Sequence, residues 1–189
     1  VLGNGGSGKL SDVIEGLEWA VAHGMQVVNM SFGASSGNES FHAAIIAAHN
    51  AGIVLVAAAG NEGGPVSYPA AYPEVIAVSA IDSSDAVPSW SNFGPEIDLA
   101  APGVSIFSTY KGSTYQTLSG ASMASPHVAG AAALVMSLPV PPAYDTDGDG
   151  AWDPAEVQRR LQDTAQDAGP SGFDPYYGWG IVSAFSALP

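Results

Sequence analysis

Gly120-Ala121-Ser122-Met123-Ala124-Ser125-Pro126-His127-Val128-Ala129-Gly130 runs without a break into the alanine-rich stretch Ala131 to Leu138. Small and apolar residues over this length predict a long, buried helix from Ser122 to Leu138, opened by a glycine turn. A serine at that opening lies among free backbone N–H groups, at the positive end of the helix dipole. A hydroxyl there suits a nucleophile whose attack creates an oxyanion. A tight turn capping a core helix would use the same residues.

Outward from this stretch the chain alternates between strand and helix patterns. Ser11 to His23 reads as a helix with Ser11 as its cap, because Val13, Ile14, Leu17, Ala20 and Val21 recur at helical spacing. Gln26 to Phe32 is a short β-rich run, and Phe41 to Asn50 a second helix. Ile53 to Ala58 is apolar throughout, as a strand covered on both faces would be. Val75 to Ala80 and Ile97 to Ala100 repeat that pattern, and Val1-Leu2 reads as the end of a further strand. Helices are expected at Val157 to Asp163 and Val182 to Ala187. This alternation predicts an α/β fold: a doubly wound, mostly parallel sheet with helices on both faces. Any site should lie beyond the carboxyl ends of the strands. Asn61, which closes Ala57-Ala58-Ala59-Gly60-Asn61, sits at such an end and can offer its side-chain amide to an oxyanion.

Composition narrows the function classes. The chain has 189 residues, 47% of them hydrophobic, enough for one substantial core. Four Lys+Arg stand against 18 Asp+Glu, a net charge of −14, the wrong sign for a nucleic-acid partner. No apolar run is long enough to span a membrane. Absence of cysteine excludes disulfides, zinc thiolate sites and cysteine nucleophiles. The acidic balance fits a soluble protein in an extracellular setting. The opening Val1-Leu2-Gly3 has no basic and then apolar leader, so no signal peptide is expected within this chain.

Several motifs then fall in one order. Gly120 to Gly130 closely resembles the nucleophile segment of the subtilisin-like serine proteases (the subtilases), usually G-T-S-M-A-S-P-H-V-A-G. Ala58-Ala59-Gly60-Asn61 resembles their A-A-G-N. Val27 to Gly33 resembles the strand ending in S-L-G, and Tyr68-Pro69-Ala70-Ala71-Tyr72-Pro73 the Y-P-x-x-Y-P turn. Asp98 to Gly103 resembles D-x-x-A-P-G, and Tyr177 to Val182 the closing Y-G-x-G. The resemblance implies a subtilisin-like fold over residues 1–189 and a serine endopeptidase acting on polypeptides, with Ser122 as nucleophile and Asn61 as oxyanion donor. It also implies an extended substrate held as an added strand between Gly6-Ser7-Gly8 and Ser31-Phe32-Gly33. Ala58, Ala59 and Gly60 would line the pocket for the residue before the scissile bond. Leu10, Val13 and Phe32 would line a second, apolar pocket. Asp98 with the carbonyls of Ala70, Tyr72 and Val75 would form a weak cation site.

Two departures bear on activity. The family's D-T-G and H-G-T-H-V-A-G motifs, which carry the orienting acid and the general base, do not occur here. The histidines His23, His42, His49 and His127 are all expected to be non-catalytic. The missing pair is expected in an N-terminal part of the catalytic domain, so that this chain alone should be inactive. Ala121 also stands where the family usually has threonine. The opposing reading is a catalytically dead subtilase-like scaffold or binding module.

Asp145-Thr146-Asp147-Gly148-Asp149-Gly150-Ala151-Trp152-Asp153-Pro154-Ala155-Glu156 has the spacing of an EF-hand calcium loop, an insertion at 145–156. Asp145, Asp147, Asp149, Asp153 and Glu156 fall at ligand positions, with the Ala151 carbonyl between them and Gly150 at the sharp turn. Ca2+ is therefore the expected cofactor, acting as a local clamp. Asp153-Pro154-Ala155-Glu156 also reads as a plain helix start. Gly3 to Lys9 mimics a phosphate-binding loop, but Leu10 stands where magnesium ligation needs Ser or Thr.

Overall fold

The computed structural model describes residues 1–3 and 5–188; Asn4, in the Gly3–Lys9 stretch, lies outside them. Apolar runs of β-branched residues and alanine form four strands: β1 (Val27–Met30), β2 (Val54–Ala58), β3 (Val75–Ile81) and β4 (Ile97–Pro102). They pair in the order β1-β2-β3-β4, every pair parallel. Of the helices on the two faces, only α2 (Glu39–Asn50) lies in a connection between these strands; the others precede β1 or follow β4, and together they cover both sides.

Side chains alternate between those faces with period two. Leu55, Ala57, Val75, Ala77 and Ile97 point into one core with α1 (Leu10–Ala22) and α2 (Glu39–Asn50). Val54, Val56, Ile76, Val78 and Leu99 point into the other, against α3 (Ala121–Met136) and α4 (Pro154–Asp163). Fully buried Ile45 and Leu55 each contribute about 1.5–3 kcal/mol relative to exposure. A last short helix, α5 (Ala184–Ala187), closes the second layer.

The two sheet edges differ. The segment through Trp179–Val182 covers β4, with Trp179 and Val182 N–H groups donating to Asp98 and Ala100 carbonyls. Among the described residues β1 pairs with β2 alone, so its outer edge is open.

Three expectations are corrected. The N-cap of α1 lies two residues earlier than expected, at Lys9 rather than Ser11, with no side-chain cap, and Ser11 Oγ donates to Asp12 instead. Val1-Leu2 lies in no strand among the described residues. An antiparallel hairpin, β5 (Ile106–Tyr110) with β6 (Thr114–Leu118), stands between β4 and α3 where no element was expected. Its side chains are almost all exposed, which removes the apolar alternation that marks a half-buried strand.

Candidate active site

Gly120 is the N-cap of α3, with φ 156°, a conformation that side chains disfavour. Its N–H donates to the Gly103 carbonyl at 2.8 Å, which anchors the turn against the end of β4. Ser122 follows in the first turn of a 16-residue helix with no acidic residue in that turn, so the positive end of the dipole is not neutralised locally.

Asn61 reaches the same place from the end of β2. Its Oδ1 accepts from the Ala121 N–H at 2.7 Å, which fixes the orientation of the amide and leaves Nδ2 as the outward donor. A Cβ added at Gly120 would lie 3.5 and 3.6 Å from the two amide atoms of Asn61 and 3.7 Å from the Ser122 nitrogen. From these two elements Asn61 and Ser122 line one common hollow.

A hydrogen-bond chain ties the helix to β1. Buried Ser125 Oγ donates to Asn29 Oδ1 (2.6 Å), Asn29 Nδ2 to Ser31 Oγ (2.9 Å), and Ser31 Oγ to the Ser122 carbonyl (2.8 Å). In return Ser122 Oγ donates to the Ser31 carbonyl at 3.2 Å. No histidine hydrogen-bonds this hydroxyl among the described residues. His23 Nδ1 lies 2.8 Å from the Trp19 carbonyl, and His127 Nδ1 2.9 Å from that of Met123. His42 pairs with Glu74 at 2.9 Å and stacks on Tyr72, and His49 lies in the last turn of α2.

Two hollows meet at Phe32, and the first of them also reaches Ser122. One, of about 370 Å³, is lined by Phe32, Gly33, Ala58, Gly60, Asn61 and Ser122 among others. The other, of about 480 Å³, takes Gly6, Ser7, Gly8, Leu10, Val13 and Phe32. Ser31 bonds Ser122. Ala59 is a correction: its side chain is fully buried in the α1–α2 core because the period-two alternation continues past β2. Only its backbone faces the site, accepting from Ser67 N and Asn92 Nδ2.

Asp98 has other partners than the expected weak cation site. One oxygen accepts from Ala77 N (2.8 Å) and the other from Gln158 and Gln162 amides (2.8 and 2.9 Å). Removal of the carboxyl from water pushes its pKa up to about 6, against the opposing pull of these three donors.

In the acidic loop, carboxylate oxygens of Asp145, Asp147 and Asp149 lie within 4.8 Å of one another. The Gly150 N–H donates to Asp145 Oδ1 at 3.4 Å. Asp153 and Glu156 form a reciprocal capping box at the start of α4, and buried Glu156 also accepts from Thr146 N. Three of the expected side-chain ligands thus converge, and the other two are held by the helix start they share.

Sequence reasoning missed Asn92 and Glu62. Asn92 is buried beneath the Gly60–Ser67 loop, and Glu62 bonds it at the rim of the first hollow. No local pattern marks either residue, since their pairing bridges thirty positions.

A serine on a helix N-terminus, beside a side-chain amide at the carboxyl ends of a parallel sheet, has the placement that an acyl-transfer nucleophile requires. Residues 1–180 match the model of the subtilase family, and the chain belongs to that family. It is 44% identical over 192 residues to subtilisin DY of Bacillus licheniformis, covering 99% of this chain and 65% of that protein. Identity is 45% over 185 residues with a thermostable alkaline protease of Halalkalibacterium halodurans, and 45% over 192 residues with subtilisin E of Bacillus subtilis. These matches cover 97% and 99% of this chain but 48% and 47% of the relatives. The chain therefore spans between about half and two thirds of the length of the curated relatives it matches. No helix among the described residues is long and apolar enough to cross a membrane.

Proposed function

We propose that the chain is the nucleophile-bearing part of a secreted serine endopeptidase. Ser122 Oγ attacks the scissile carbonyl, and its proton passes to a histidine base. The oxyanion is held by the Ser122 N–H and Asn61 Nδ2. Collapse expels the amine, which takes that proton, and water then hydrolyses the acyl ester by the same route. The observation carrying this reading is that Asn61 and Ser122 line one hollow, with the Asn61 amide held by the Ala121 N–H at the start of α3.

The base and its orienting aspartate are proposed to come from the part of the catalytic domain not included here, seated along the open edge of β1. Ser122 lies beyond the carboxyl end of β1, with its hydroxyl turned to the Ser31 carbonyl. Polypeptide substrates would pair with Gly6–Gly8 and Ser31–Gly33 and place side chains in the two hollows.

A fluorophosphonate probe tests this reading. The isolated chain should label at background rate, and addition of the completing segment should give rapid labelling that maps to Ser122. Absence of labelling in the completed domain would overturn the protease reading in favour of a binding scaffold.

We further propose that Asp145, Asp147, Asp149, Asp153, Glu156 and the Ala151 carbonyl hold Ca2+. All are hard oxygen donors, and five carboxylates in twelve residues repel one another unless a cation screens them. The loop joins the end of α3 to α4, where Trp152 Nε1 donates to the Leu138 carbonyl at 2.9 Å. Calcium at a hundred times its Kd should add about 2.7 kcal/mol, a Tm increase of roughly 5–10 °C for a domain of this size. Chelator should reverse the increase, and Asp147→Asn with Asp149→Asn should remove it. Equal Tm values in calcium and in chelator would exclude the clamp.

A further inference from the structure

Asn92 is 1% exposed and lies under the loop that carries Asn61. Its Oδ1 accepts from the Glu62 and Gly64 N–H groups at 2.8 and 3.2 Å. Its Nδ2 faces the Pro65 and Ala59 carbonyls at 2.8 and 3.1 Å and Glu62 Oε2 at 2.9 Å. Its backbone N–H donates to the Gly60 carbonyl at 3.1 Å. One side chain thus satisfies both polarities of a loop with no sheet partners of its own. Gly60, at φ 114°, has no Cβ to block it; a Cβ there would overlap Asn92 Nδ2.

These contacts lead to the oxyanion donor. Glu62 Oε2 accepts from Asn92 Nδ2 and, at 2.9 Å, from the Asn61 N–H. Asn61 Oδ1 in turn accepts from Ala121 N at the start of α3. The backbone of Asn61 is fixed through Glu62 and its amide oxygen through α3, and Asn61 lines the hollow that Ser122 shares. We propose that Asn92 is a positioning residue for the oxyanion donor, acting through Glu62 on the Asn61 backbone. This rests on the reading of Ser122 as nucleophile and Asn61 as donor.

Packing alone would make Asn92 matter for stability. A positioning role makes it matter for kcat, and only while Asn61 is present. Asn92→Asp keeps the shape and the Oδ1 acceptor and replaces the Nδ2 donor with an oxygen facing Glu62. In the completed catalytic domain it should lower kcat on the order of tenfold, with KM little changed. In an Asn61→Ala background the same substitution should lower kcat by less than about twofold, because the group it positions is gone. The pH profile gives a second readout. Two carboxylates in contact share a proton as pH falls, which restores a donor between them, so the deficit relative to the unsubstituted enzyme should narrow at low pH.

Glu62→Ala breaks the relay from the exposed side and should show the same dependence on Asn61, which keeps the test decisive if Asn92→Asp does not fold. Losses of kcat that multiply with that of Asn61→Ala, or no loss in the Asn61 enzyme, overturn the positioning role. If Asn61→Ala itself leaves kcat unchanged, the underlying donor assignment fails instead.

Discussion

Replacing Ser122 by alanine in the completed catalytic domain is expected to lower kcat on the order of a millionfold, the magnitude a bacterial subtilisin shows on losing its nucleophile. KM and Tm should change little. Among the described residues the Ser122 hydroxyl makes one hydrogen bond, a long one to the Ser31 carbonyl at 3.2 Å, and its loss removes about 1 kcal/mol or less. The oxyanion hollow and the substrate walls are untouched by the substitution, so a residual acceleration over water should remain. The isolated chain supplies an internal control. Its histidines are engaged with Trp19, Glu74 and Met123 or lie away from Ser122 on α2, so Ser122→Ala in that context should change nothing measurable. Groups that act as a unit lose their effect together once one is absent. A Ser122→Ala variant of the completed domain retaining more than about one per cent of kcat would assign the nucleophile elsewhere.

The legible parts of this molecule are those where one residue type serves one environment. Val54 to Ala58 is buried on both faces, and its unbroken apolar run says so directly. The placement of Ser122 in the first turn of α3 was legible because glycine turn, serine and long alanine helix are contiguous. The placement of Asn61 was legible because it follows a buried strand. Other features were hidden for definite reasons. The β5–β6 hairpin is wet on both sides, so Phe107 and Tyr115 stack on each other in the open rather than alternate with polar residues. Ala59 shares the small-residue composition of a pocket wall, and only its position in the strand alternation sends it into the core. Asn92 carries no signal in its own neighbourhood. Its role comes from the return of the chain after β3, which places its amide where Gly60 leaves room. The convergence of Asp145, Asp147 and Asp149 was legible from their spacing, whereas the use of Asp153 and Glu156 in a helix cap was legible only as a second reading of the same residues.

Asn61→Ala should lower kcat by about a hundred- to thousandfold with little change in KM, the range a bacterial subtilisin shows on losing its side-chain donor. Alanine removes two functions at once, however. Asn61 Oδ1 also accepts from Ala121 N at the start of α3, and loss of such a cap destabilises by about 1 kcal/mol. Asn61→Asp separates them. Its carboxylate still accepts from Ala121 N and adds a negative charge at a helix N-terminus, which is favourable there, so Tm should hold or rise. The same charge would stand beside the developing oxyanion in place of a donor, so kcat should fall at least as far as in Asn61→Ala. If the side chain served only to cap α3, the aspartate variant would be the more active of the two. A kcat for Asn61→Asp well above that of Asn61→Ala would therefore remove Asn61 from the oxyanion hole and leave the Ser122 N–H as its donor from these two elements.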